Sequence, residues 1–133
     1  MPRALEFYKA VGFQTFETNE DPPVVFFNNE GSRLELYPLS ALQKDIDPKN
    51  PPTVSSESFS GMTLACNMKS KEEVDSVMES AERAGGTLVK QPQTVFWGGY
   101  SGYFKDLDGY YWEVAYSDSW QFDDRNMLVL DEG

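Results

Sequence analysis

Apolar side chains recur along this chain at two spacings, and the spacings alternate in blocks. Ala4, Phe7, Tyr8 and Val11 follow the i, i+3, i+4, i+7 pattern of one helical face, and Val74, Val77, Met78 and Ala81 follow it again. Pro2 suits a first helical turn, Ser70 with Glu73 makes a capping box, and Gly12 and Gly85 sit where the helices should end. Strand-like segments follow each helix: residues 14–18, 24–28 and 33–37, then 87–90, 99–105 and 110–116. One more strand, residues 61–67, precedes the second helix.

The pattern is a duplication. In each half a glycine precedes a glutamate by four positions, Gly31 to Glu35 and Gly109 to Glu113. The matching triplets are Leu34-Glu35-Leu36 and Trp112-Glu113-Val114. The first half has no counterpart of residues 61–67, so the expectation is a first module short of one strand of about 5–8 residues. Such a gap exposes a sheet edge unless another segment or subunit covers it. Residues 38–60 read as a linker with one helical turn at 39–44, and residues 117–133 as an acidic tail. Trp120, Phe122, Met127, Leu128 and Leu130 should dock that tail on the body. The division is 1–37, 38–60, 61–116 and 117–133 within a single domain.

The densest information lies between Thr94 and Tyr116. Two antiparallel strands are closed there by Asp106-Leu107-Asp108-Gly109, since glycine after aspartate accepts positive φ cheaply. Alternation points Tyr110, Trp112, Val114 and Tyr116 one way and Tyr111, Glu113 and Ala115 the other. In the preceding strand Tyr100, Gly102 and Phe104 share one face, with Ser101 and Tyr103 opposite. A carboxylate is thus held across from an apolar stripe, and an unpaired buried charge would be costly.

Gly102-Tyr103-Phe104, Asp106-Leu107-Asp108-Gly109 and Trp112-Glu113-Val114 together resemble the closing hairpin of the vicinal oxygen chelate superfamily. That superfamily includes glyoxalase I, extradiol dioxygenases, fosfomycin-resistance enzymes and bleomycin-resistance proteins. Leu107 stands where its members often have proline, and Tyr110 where histidine or asparagine is common. The stretch Arg3 to Phe13 is similar to the family's first helix, so the likeness spans most of the chain. It implies an α+β fold of paired βαβββ modules forming a curved, partly open barrel-like sheet, the first module lacking its first strand. It also implies a concave site, with Glu35 and Glu113 at the two carboxylate positions and Thr63 at the second half's first-strand position.

Composition narrows the chemistry. At 133 residues, 40% hydrophobic and 25% charged, the chain is of ordinary globular make-up. A net charge of −11 argues against nucleic acid as partner and is compatible with a cationic ligand. The single cysteine, Cys66, fits a reducing cytoplasm, and no apolar run approaches a membrane span. There is no histidine, which removes the commonest general base and the commonest transition-metal ligand. Two glutamates and a threonine suit zinc, iron or nickel poorly; a hard divalent cation could use Glu35 and Glu113.

The expectation is therefore a small-molecule cleft without obligatory metal or other cofactor. Its residues would be Arg33, Glu35, Tyr37, Thr63, Trp97, Tyr100, Tyr111 and Glu113, and no catalytic residue is assigned. Arg33 is the nearest partner for Glu35, and the aromatic rings offer area for a flat, apolar or cationic ligand. Two alternatives stay open: a metal-dependent lyase, isomerase or dioxygenase using both glutamates, and a non-catalytic association module. A homodimer is expected, with neither nucleic acid nor membrane as partner.

Overall fold

The computed structural model describes residues 1–29, 32–55 and 58–129, apart from the side chains of Ser32 and Arg33. The first helix, α1 (Pro2–Val11), starts on a proline and ends at Gly12, whose φ of 117° caps it in the left-handed region. It buries Leu5, Phe7, Tyr8 and Val11, so the apolar stripe runs through Leu5 rather than Ala4. The chain then runs through β1 (Val25–Asn29), β2 (Ser32–Leu36), α2 (Leu39–Ile46) and β3 (Leu64–Asn67). After that come α3 (Lys71–Arg83), β4 (Thr87–Thr94), β5 (Tyr100–Lys105) and β6 (Tyr111–Tyr116). Among the described residues no helix is long and apolar enough to cross a membrane.

The strands form a curved four-stranded sheet of order β3-β6-β5-β4 and a separate two-stranded sheet, β1-β2. Strand β3 runs parallel to β6 and the other pairs are antiparallel. The second half is thus a complete βαβββ module. The first contributes α1 and a hairpin, with no strand before α1 among the described residues. Residues 14–18, expected as a strand, are not one. They lie along β1 through a bond from the Asn28 amide to the Gln14 carbonyl and one from Thr15 Oγ1 to the Phe26 carbonyl. One main-chain bond does not make a ladder.

Helix α3 is capped as expected: the Glu73 amide donates to Ser70 Oγ at 3.1 Å. The Glu73 carboxylate reaches back one residue further than a standard box, to the Lys69 amide at 2.8 Å. Val74, Met78 and Ala81 of α3 join Leu5, Phe7 and Tyr8 of α1 over Phe104, Trp112 and Val114, with Val25 and Phe27 of the hairpin in the same core. Gly102 makes this close approach possible, because a Cβ there would stand 3.0 Å from the Met78 methyl and 2.8 Å from the Lys90 carbonyl.

One polar group crosses this core. Tyr8 Oη donates to Asp106 Oδ2 at 2.5 Å and accepts from Trp112 Nε1 at 3.2 Å. The other Asp106 oxygen accepts from the amides of Asp108 and Tyr110, fixing the turn that Gly109 completes at φ 91°. Burial and then the bond to Asp106 push the Tyr8 phenol above its ordinary range. Cys66 sits opposite Val114 on β3, and burial raises its thiol from 9.0 to about 12.

Both groups keep their protons longer in the folded chain than in the unfolded one. As pH rises the unfolded chain deprotonates first, so stability is complete below about pH 8 and falls from about pH 9 upward. Tyr8→Phe should cost about 1–3 kcal/mol, since it orphans Asp106 Oδ2 and the Trp112 indole. It should also flatten part of the alkaline decline. Urea midpoints measured from pH 7 to 11 check both outcomes; an unchanged midpoint for Tyr8→Phe contradicts the first, and a level profile the second.

Candidate functional site

The β5-β6 register sorts the two faces of the main sheet. Phe104 pairs with Trp112 and Gly102 with Val114 on the helix side, while Tyr103 pairs with Glu113 and Lys105 with Tyr111 on the side away from the helices. The register shifts lie in β4, at Leu88, Lys90 and Gln93, so no bulge interrupts the β5-β6 alternation. In β3, Ala65 lies beside Glu113. Thr63, just before β3, donates from Oγ1 to the Tyr111 carbonyl at 3.0 Å.

Glu113 is half-buried on that outer face, directly across from Tyr103. Desolvation raises the Tyr103 phenol, reinforced by the negative charge of the nearby Glu113. Tyr111 meets the Phe59 ring edge-on at 5.1 Å, and Lys105 Nζ lies 5.7 Å from the centre of the Tyr111 ring. Carboxylate, phenol, ammonium and two aromatic rings thus adjoin on one face of the sheet. Such a group can hold an aromatic ring and accept a hydrogen bond or a positive charge from it.

Three of the eight sequence-derived residues meet here: Thr63, Tyr111 and Glu113. Glu35 belongs to the other sheet, exposed beside Phe26, and Tyr37 follows it, also exposed. The side chain of Arg33 and the backbone of Gly31 lie outside the described residues, as does Leu130. Tyr100 sits on the helix face, where its hydroxyl donates to Asp75 Oδ1 at 2.7 Å and Lys71 lies over its ring. That bond is the main reason its phenol is raised. Trp97 lies in the β4-β5 loop, stacked on Trp120 of the tail at 5.9 Å and 14°. The even-odd alternation that assigns Glu113 to the outer face is what sends Tyr100 to the other.

Tyr103, Lys105 and Phe59 were not among the expected site residues. The first two were within reach, because counting back from the Asp106–Gly109 turn pairs Tyr103 with Glu113. Phe59 comes from the linker and carries no periodic signal. Two open cavities, of about 420 and 390 Å³, lie elsewhere. The first is lined by Lys9, Phe13, Gln14, Thr15, Phe16 and Asn28. The second lies between the start of α3, Gly98-Gly99 and Ser117-Asp118.

The family model described as Glyoxalase/Bleomycin resistance protein/Dioxygenase superfamily matches residues 1–114. The chain belongs to that superfamily. A glyoxalase-related enzyme from Fulvimarina pelagi is similar at a TM-score of 0.81 and 28% identity, over 98% of this chain and 89% of that one. A glyoxalase/bleomycin resistance protein/dioxygenase family enzyme from Burkholderia phytofirmans PsJN matches at 0.67 and 22%, over 86% and 87%. A glyoxalase/bleomycin resistance protein from Albidiferax ferrireducens T118 matches at 0.62 and 19%, over 87% and 88%. The last two show the fold alone. A search of curated proteins gave no match.

Members of this superfamily commonly hold a divalent metal, and the residues here do not fit one. Thr63 is engaged by a main-chain carbonyl, and Glu35 lies on a different sheet from Glu113. Among the described residues no three His, Cys, Asp or Glu side chains are grouped to hold an ion.

Gly99 tests the loop geometry. A Cβ there would fall 1.8 Å from the Trp97 ring, so Gly99→Ala should swing that indole off Trp120. The expected readout is loss of the coupled-tryptophan band in near-ultraviolet circular dichroism, at a stability cost of about 0.5–1.5 kcal/mol. Retention of the band shows that the stack does not require glycine.

Proposed function

We propose that this superfamily member binds a small aromatic molecule on the outer face of its four-stranded sheet, without an obligatory metal. The half-buried Glu113 carboxylate, paired across the strands with Tyr103 and flanked by the Phe59-Tyr111 pair, carries the reading. An aromatic ring of the ligand lies against Tyr111 and Phe59, and a cationic or hydrogen-bond-donating group is directed at Glu113. Net charge −11 favours such a ligand over a carboxylate or phosphate. The kinship with a glyoxalase-related enzyme supports small-molecule recognition in this fold. The single, half-buried cysteine is in keeping with a cytoplasmic setting.

Calorimetric titration with benzylamine, benzyl alcohol and benzoate, after EDTA treatment, tests the proposal. Benzylamine should bind tighter than benzoate by roughly threefold or more. Glu113→Gln should abolish that preference and Tyr103→Phe weaken it, while Glu35→Gln leaves it unchanged. Tighter binding of benzoate, dependence on Glu35 rather than Glu113, or loss of binding on removing metal overturns the reading.

A further inference from the structure

Building on the reading of Glu113, we propose that the ligand is an aromatic zwitterion of the α-amino acid type, its ammonium at Glu113 and its carboxylate held by Lys105. Charge gives the first indication. The chain has 22 acidic and 11 basic residues, yet its main sheet carries only Lys90, Lys105 and Glu113 as charged residues in strands β3 to β6. Two of these three are cations, so the sheet reverses the sign balance of the chain.

Register brings the two signs together. Tyr103 pairs with Glu113 on one side and with Lys90 on the other, and Lys105 pairs with Tyr111. Lys105 and Glu113 are therefore diagonal neighbours on the outer face, about 7–8 Å apart at the backbone. They form no ion pair with each other; among the described residues Arg3 and Asp108 alone do so. The Lys105 ammonium lies instead over the Tyr111 ring, which Phe59 meets edge-on. On its other flank the Glu113 carboxylate is open to approach, because β3 sets the small, exposed Ala65 beside it.

This spacing selects a ligand that carries both charges. An ammonium and a carboxylate on one carbon atom can each face a protein group of opposite sign, bridging the diagonal while the ring rests on Tyr111 and Phe59. An amine without the carboxylate is set beside the like charge of Lys105, and a carboxylate without the amine beside that of Glu113; like charges so placed work against binding. A zwitterion escapes both penalties. Having no net charge, it is also not repelled by a chain of net charge −11.

Calorimetric titration with phenylalanine, 2-phenylethylamine and 3-phenylpropanoate, the last two each lacking one of its charges, tests the proposal. Phenylalanine should bind about threefold tighter than 2-phenylethylamine, the order expected of one partly exposed ion pair, and 3-phenylpropanoate weakest of the three. Lys105→Gln should bring phenylalanine down to the 2-phenylethylamine level, and Lys105→Arg should keep the preference, with far-ultraviolet circular dichroism native in both. Glu113→Gln should weaken phenylalanine and 2-phenylethylamine alike. Should 2-phenylethylamine bind through Glu113 as tightly as phenylalanine, the zwitterion is overturned and the reading of Glu113 stands. A preference that survives Lys105→Gln, or is lost in Lys105→Arg, overturns it equally. Absence of Glu113-dependent binding for all three compounds overturns both.

Discussion

The Tyr8-Asp106-Trp112 contact ties together parts of the chain about a hundred residues apart. It takes a phenol from α1, a carboxylate from the β5-β6 turn and an indole from β6, and satisfies all three inside an apolar core. Because Asp106 also holds two amides of its own turn, the position of α1 and the shape of the hairpin are set by one side chain. Hydrogen bonds of this kind add little net stability when made and cost much when broken on one side. The contact therefore specifies one arrangement of helix over sheet more than it strengthens it. The β5-β6 register follows from that turn, and with it the pairing of Tyr103 with Glu113.

Much of the architecture was legible because it is written in periods and punctuation. The 3.6-residue pattern located α1 and α3, the glycines ended them, and Ser70 with Glu73 marked the start of the second. Period-two alternation separated Trp112 and Val114 from Glu113. Family likeness supplied the pairing of strands, which periodicity cannot reach. The separation of the two sheets was less accessible, because the bonds around residues 14–18 run partly through the side chains of Thr15 and Asn29.

The candidate site was legible only in part. Glu113, Thr63 and Tyr111 come together because each is fixed by alternation or by the parallel β3-β6 pair. Trp97 and Tyr100 looked equivalent to Tyr111 in an aromatic-rich stretch, yet one lies in a loop and the other on the helix face. Crowding in sequence says nothing about sides of a sheet, whereas counting from the turn does. Phe59 was beyond sequence reasoning, since a linker's path depends on what it packs against.

The pairing of β3 with β6 sets the order in which the molecule can assemble. Strands β5 and β6 are neighbours in sequence and meet through a turn of a few residues, which closes on the microsecond scale. Strand β3 must wait, because its partner lies some fifty residues downstream and a parallel ladder needs α3 to bridge the return. Until α3 has packed, β6 has a vacant edge on the side where β3 belongs. Refolding yield should then be governed by the competition between this late intramolecular pairing and strand exchange between chains.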